Sequence, residues 1–142
     1  MATYRQSFSI ETRGEVQAID VTDRVALAVR TSRIREGIAC VFTPHSTAAI
    51  VANEWERGLI ERDLPAALER VAPRGESYAH NAAGDPNGHA HLRAAFLGPS
   101  VTFPVADGRP MLGVWQQILF VELDVRKRTR EVVVQVVGDP PP

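Results

Sequence analysis

Two apolar runs near the C-terminus constrain the fold more than any other part of this chain. "MLGVWQQILFVELD" (Met111–Asp124) and "EVVVQVVG" (Glu131–Gly138) are rich in β-branched and bulky apolar residues and read as strands. At the other end, Tyr4, Phe8 and Ile10 recur with period two, the pattern of a half-buried strand. "EVQAID" (Glu15–Asp20) can pair with it after a turn at Gly14. Strands grouped at both ends, with helical patterns between them, argue for an α+β fold. Its core is a mainly antiparallel, β-sandwich-like sheet system with inserted helices, rather than alternating βαβ units.

The middle of the chain supplies the helices. "DVTDRVALAVRTSRIREG" places Val25, Ala28, Val29 and Ser32 on one face, with Asp20 or Thr22 as cap and Gly37 as stop. "IACVFT" is a continuous apolar run and reads as a buried strand. From Asn53, Trp55, Leu59, Leu64, Leu68 and Val71 recur near the helical period. Pro65 falls inside this stretch, so it is two helices, the second capped by Asp63, or one kinked helix. "PRGESYAHNAAGDPNGHAH" is loop-like, and long loops in compact domains are commonly functional. A short helix "HLRAAFLG" ends at Gly98. Strand "VTFPV" then leads into Asp107–Gly108, a hairpin dipeptide.

Length and charge limit the function classes. The 142 residues suit one domain spanning 1–142. A net charge of −1 gives no general field for nucleic acid or an anionic membrane. Cys40 is the single cysteine, which excludes an intrachain disulfide and a cysteine zinc cluster. The N-terminal segment lacks the apolar stretch of a signal peptide, and no run reaches the ~18 apolar residues of a membrane span. The expected compartment is the cytoplasm, with no nucleic-acid or membrane partner.

All four histidines, His45, His80, His89 and His91, fall in or next to loop-like segments. Imidazole is a common ligand of zinc and similar ions. His45, His80 and His91 can form a three-ligand site if the fold gathers them; the alternative is four solvated loop histidines. His89 and His91 alternate, so an extended segment would point them to different sides. Asn53 and Glu54 read as a helix cap and a first-turn acid, or as part of an anion site with His45, Ser46 and Thr47. Asp85 and Asn87 flank Pro86 in a turn-prone sequence, and a carboxylate there can also orient a ligand or act as a base. Gln116 follows Trp115 in an apolar strand, where a buried amide needs a partner. "DVRKRTR" is a solvated hairpin turn, or it aims Arg128 and Arg130 at a phosphate.

"HSTAAIVANE", "YAHNAAGDPNGHAHLRAAFLGPS" and "DGRPMLGVWQQILFVELD", in this order, resemble the YjbQ-like family, identified with secondary thiamine-phosphate synthase enzymes. The resemblance covers most of the chain. It implies a trimer of α+β subunits with a β-sandwich-like core. It also implies a histidine-lined site holding a divalent metal ion, zinc first and magnesium as the alternative. His45, Asn53–Glu54, His80, His91 and Trp115–Gln116 match its motifs. Where many relatives read Asp-Gly-Pro-Arg, this chain reads Asp124–Val125–Arg126–Lys127, so a role for the first arginine does not carry over.

The expected roles follow. His45, His80 and His91 bind metal. Glu54, Asp85 and Gln116 act in catalysis. Ser46, Thr47, Asn53, Asn87, Arg128 and Arg130 bind a small phosphorylated substrate. The implied reaction joins an aminopyrimidine diphosphate to a thiazole phosphate with release of pyrophosphate. The competing readings are a metal-dependent hydrolase of another phosphorylated or acyl substrate, and a non-catalytic binding trimer.

Overall fold

The computed structural model describes residues 1–140. Eight strands and three α-helices alternate in groups: β1 (Ala2–Glu11), β2 (Gln17–Asp20), α1 (Thr22–Ser32), β3 (Gly37–Phe42), β4 (Ala48–Asn53), α2 (Leu64–Val71), α3 (Gly88–Leu97), β5 (Ser100–Ala106), β6 (Arg109–Pro110), β7 (Gln117–Glu122) and β8 (Thr129–Gly138). They form a five-stranded sheet, β1-β8-β3-β5-β6, and a three-stranded sheet, β2-β7-β4. Every strand pair is antiparallel. The expected α+β class with an antiparallel sheet system is what forms.

The strand β8 lies between β1 and β3, and its inward positions alternate along most of its length. Val132, Val134 and Val136 are fully buried, each contributing about 1.5–3 kcal/mol of transfer free energy. They pack with Val25, Ala28 and Val29 of α1, Ala39 and Val41 of β3, and Ile118 and Phe120 of β7. This is the predicted apolar face of α1. The three-stranded sheet is covered on its other side too. Ala49 and Val121 meet Leu68 of α2 and Ala90 and Ala94 of α3. Burial on both faces explains why β7 reads as an unbroken apolar run.

Several local readings change. Residues 15–20 do not pair with β1; Ala18 and Ile19 of β2 sit opposite Val121 and Phe120 of β7. Strand β7 begins only at Gln117, and the preceding loop leaves Val114 and Trp115 exposed. Asn53 does not cap a helix, because it is the last residue of β4 and pairs with Gln117. Gly37 opens β3 rather than closing α1, which stops at Arg33 in the left-handed region, φ 60°. Strand β3 is buried on one face only, with Ile38 and Phe42 exposed on the other. Asp63 has helical dihedrals and no capping bond, so the chain runs from a π-helical turn, Leu59–Asp63, straight into α2. Helix α3 starts at Gly88 and takes in His89 and His91. The basic stretch after β7 is no hairpin, since β7 and β8 belong to different sheets. It is the corner between them. The Asp107–Gly108 turn forms as expected, with φ 51° and 73°.

The glycines Gly37 and Gly138 face each other where β3 meets β8. A Cβ on Gly37 would overlap the Val137 carbonyl, and one on Gly138 the Glu36 carbonyl. These two positions close the sheet tightly because neither carries a side chain.

Candidate functional site

The corner between the sheets is held by a buried ion pair. Glu122 ends β7 and is fully buried, and Arg130 near the start of β8 is 5% exposed. Arg130 donates Nε to Glu122 Oε2 at 2.7 Å and Nη2 to Oε1 at 2.6 Å. Thr12 Oγ1 donates to Oε2 at 2.7 Å, and the Asp124 N–H to Oε1 at 3.0 Å. Arg130 Nη2 also donates to Thr47 Oγ1 at 2.8 Å. A buried charge persists only when paired and hydrogen-bonded, and here both partners are. Arg130 is therefore committed to the scaffold, contrary to its expected role as a phosphate ligand.

Next along the corner is Asp124, 1% exposed. Its Oδ2 accepts from Arg128 Nη2 at 2.7 Å, Thr47 Oγ1 at 3.2 Å and Asn87 Nδ2 at 3.5 Å. Burial alone would raise its carboxyl. The Arg128 and Val125 hydrogen bonds, the Arg128 charge and the Thr47 hydroxyl outweigh burial and hold it below the ordinary carboxylate range. Across from it, Arg126 Nη2 donates to Asp85 Oδ2 at 2.9 Å. Asp85 Oδ1, Asn87 Oδ1 and Arg128 Nε are buried without a hydrogen-bond partner. Such atoms each cost about 1–3 kcal/mol, and native proteins keep few of them.

The histidines edge this corner. His80 lies on a 3₁₀ turn, Ala79–Ala83, and His91 in the first half of α3. Their rings are 4.5 Å apart between centroids and tilted by 44°. Burial, followed by the charge of His80, lowers the pKa of His91; Asp124 and Asp85 raise it by less. His45 follows β3, and its Nε2 accepts the Glu131 N–H at 2.9 Å. Burial, then Arg130, lowers its pKa against the opposing pull of Glu122 and Glu131. Both imidazoles therefore favour the neutral form. His45, Ser46 and His91 line one cleft of about 260 Å³ floored by Ala48 and Ala94.

A metal fits this set only in part. His80 and His91 are adjacent nitrogen donors, and zinc accepts imidazole. The accepting lone pair of His45 is already used by Glu131. Among the described residues, no three histidine, cysteine, aspartate or glutamate side chains converge closely enough to hold an ion.

Other expected site residues lie elsewhere. Asn53 and Glu54 line a separate cleft with Leu59 and Leu64. Gln116 is in an exposed loop, where its Oε1 accepts the Gly113 N–H at 2.8 Å and closes a turn. His89 is fully buried on α3, with Nε2 2.9 Å from Glu15 Oε2. Arg93 completes that cluster by pairing with Glu15 at 3.2 Å and Glu69 at 2.7 Å. Sequence reasoning missed Glu122 and Asp124. The signal was present, because an acid inside "LFVELD" has to be paired if the strand is buried.

No helix among the described residues is long and apolar enough to cross a membrane. The family model described as UPF0047 protein YjbQ-like matches residues 6–139. A UPF0047 protein of Archaeoglobus fulgidus is 45% identical over 127 residues, which cover 89% of this chain and 96% of that protein. A UPF0047 protein of Methanothermobacter thermautotrophicus is 44% identical, covering 99% of this chain and 96% of the relative. The crystal structure of a YbjQ-like protein of unknown function from Sulfolobus solfataricus superimposes with a TM-score of 0.93 at 40% identity, covering 97% of this chain and 99% of the other. With its sequence matched nearly end to end and its fold shared, this chain belongs to the YjbQ-like UPF0047 family.

Proposed function

We propose that the corner between β7 and β8 is an enzyme site for a small phosphorylated substrate. The observation that supports this reading is the set of unpartnered buried atoms on Asp85, Asn87 and Arg128, placed beside the His80–His91 pair. A ligand with both donors and acceptors would complete all of them. Arg128 and the exposed Arg126 suit phosphate oxygens, while Asp124 and Asp85 fix their guanidinium groups. His91, held neutral with two carboxylates nearby, keeps a nitrogen lone pair that a metal ion or a substrate donor can use.

The reaction that fits the family resemblance is thiamine-phosphate synthesis. A C–N bond to the thiazole forms as the C–O bond to pyrophosphate breaks, and the departing diphosphate takes the negative charge. The arginines would stabilise that charge. His80 and His91 would hold a divalent ion, zinc by donor type or magnesium, and such an ion supplies Lewis-acid charge for the leaving group. A cytoplasmic homotrimer is part of the same reading.

The test uses tag-free protein, both precursors, and magnesium or zinc. Formation of thiamine phosphate, lost in Arg128→Gln and His91→Ala, supports the proposal. No product, with pyrophosphate binding unaltered by Arg128→Gln, overturns it. An ion held by His80 and His91 would also suit activation of water, so a panel of phosphate and acyl esters tests the metal-dependent hydrolase alternative. Inactivity on that panel with metal still bound would indicate a binding protein.

A further inference from the structure

The second cleft takes in Leu97 at the C-terminal end of α3, and its chemistry differs from that of the corner. Its volume is about 280 Å³, roughly nine times the ~30 Å³ share of one liquid water and just under the range of drug-sized sites. Val51, Leu59, Leu64 and Leu119 give it aliphatic walls. Its charged lining residues are Glu54 and Asp63, and no basic side chain lines it among the described residues. Glu54 is half-buried. Asp63 is exposed; Arg57 is taken by Glu61 at 2.9 Å, and among the described residues neither Glu54 nor Asp63 forms an ion pair with Arg57, Arg62 or any other cation. One wall is the π-helical turn Leu59–Asp63, a rare geometry that recurs at functional sites.

We infer that this cleft binds a small apolar cation: an ammonium or amidinium group on Glu54 and Asp63, with a short hydrocarbon or single-ring body among the leucines. The carboxylates set the sign of the charge, and the aliphatic walls set the body. Glu54, which the sequence placed in catalysis at the histidine site, is on this reading the anchor of a separate ligand.

The test is amide chemical-shift perturbation with three probes of one length: hexylamine, hexanol and hexanoate. Hexylamine should shift the amides of residues 51–54 and 59–64, and bind at least about tenfold more tightly than hexanol, as a charge-assisted contact requires. Hexanoate should bind more weakly than hexanol. Glu54→Gln should bring hexylamine down to the level of hexanol while leaving hexanol binding unchanged, which also shows that the variant is folded. His91→Ala should leave hexylamine binding intact, which separates this site from the corner. Equal binding of the three probes, shifts elsewhere, or no shifts at all would overturn the inference.

Discussion

Arg130 grips Glu122 through two parallel hydrogen bonds, 2.7 and 2.6 Å, with both side chains buried. The pair spans the point at which the chain leaves one sheet and enters the other. Breaking one side leaves an uncompensated buried charge, which typically costs 3–5 kcal/mol. We expect Arg130→Met to destabilise the protein by about that much. The double variant Arg130→Met, Glu122→Leu should lose less than the two single variants combined. Urea unfolding of all three by circular dichroism checks this, and additive losses would refute it.

The pH dependence should come in two separate windows in metal-free protein. His45 and His91 have folded pKa values below the ordinary 6.5, so the unfolded chain binds their protons more readily. Their contribution is complete above pH 6.5 and is lost as the pH falls through the folded values. Asp124 is depressed below its ordinary 3.8. Its contribution is complete above 3.8 and disappears only in stronger acid. Imidazole NMR titration should place both histidine midpoints under 6.5. A midpoint above 6.5 would contradict the geometry.

Glycine substitutions should separate crowding from backbone strain. Gly37→Ala drives a Cβ into the Val137 carbonyl, and overpacking of this kind typically costs 1–3 kcal/mol or more. Gly98 has φ 89° and open space where an added methyl would sit, with nothing within 4 Å. Gly98→Ala should therefore cost only the backbone strain of φ 89°, ψ 155°, a conformation essentially confined to glycine, about 1–3 kcal/mol. Thermal melts of the two variants should rank Gly37→Ala as the more damaging.

The two arginines around Glu15 should also differ. The Arg93 side chain is 3% exposed and the Arg74 side chain 61%, yet both pair with Glu15. Arg93→Met also removes the bond to the Ala72 carbonyl at 3.0 Å and should cost about 3–5 kcal/mol. Arg74→Met should cost under about 1 kcal/mol. Chemical denaturation in low and high salt would distinguish them, with salt affecting the Arg74 contribution more.

What could be read from the sequence was local. The period-two alternation of Tyr4, Phe8 and Ile10 and the buried face of α1 survive intact because one side of each element meets the core. Alternation does not name a partner, which is why β2 can be expected on β1 and is found on β7. "AAIVAN" has small residues and an asparagine, and the capping potential of Asn53 gives way to pairing with β7. Val114 and Trp115 have strand propensity, yet the loop holds them in solvent, so context overrides propensity. At the corner, Thr47, Asp85, Asn87, His91 and Arg128 stand out in the sequence and do come together. Asp124, the acceptor shared by Thr47, Asn87 and Arg128, is hidden in a motif that reads as a strand end. Asn53, Glu54 and Gln116 are conspicuous in sequence and belong to other places in space.

The position of β8 between β1 and β3 has a consequence for the chain as it is made. During synthesis, β1 and β3 emerge early, but the strand that joins them comes more than a hundred residues after Ala2. Until residues 129–138 leave the ribosome, β1 has no partner in the large sheet and β3 exposes the edge that β8 will cover. Helices can form early, whereas this long-range pairing has to wait. A ribosome stalled before Thr129 should therefore carry a chain with helical content, an open sheet and a high demand for chaperones.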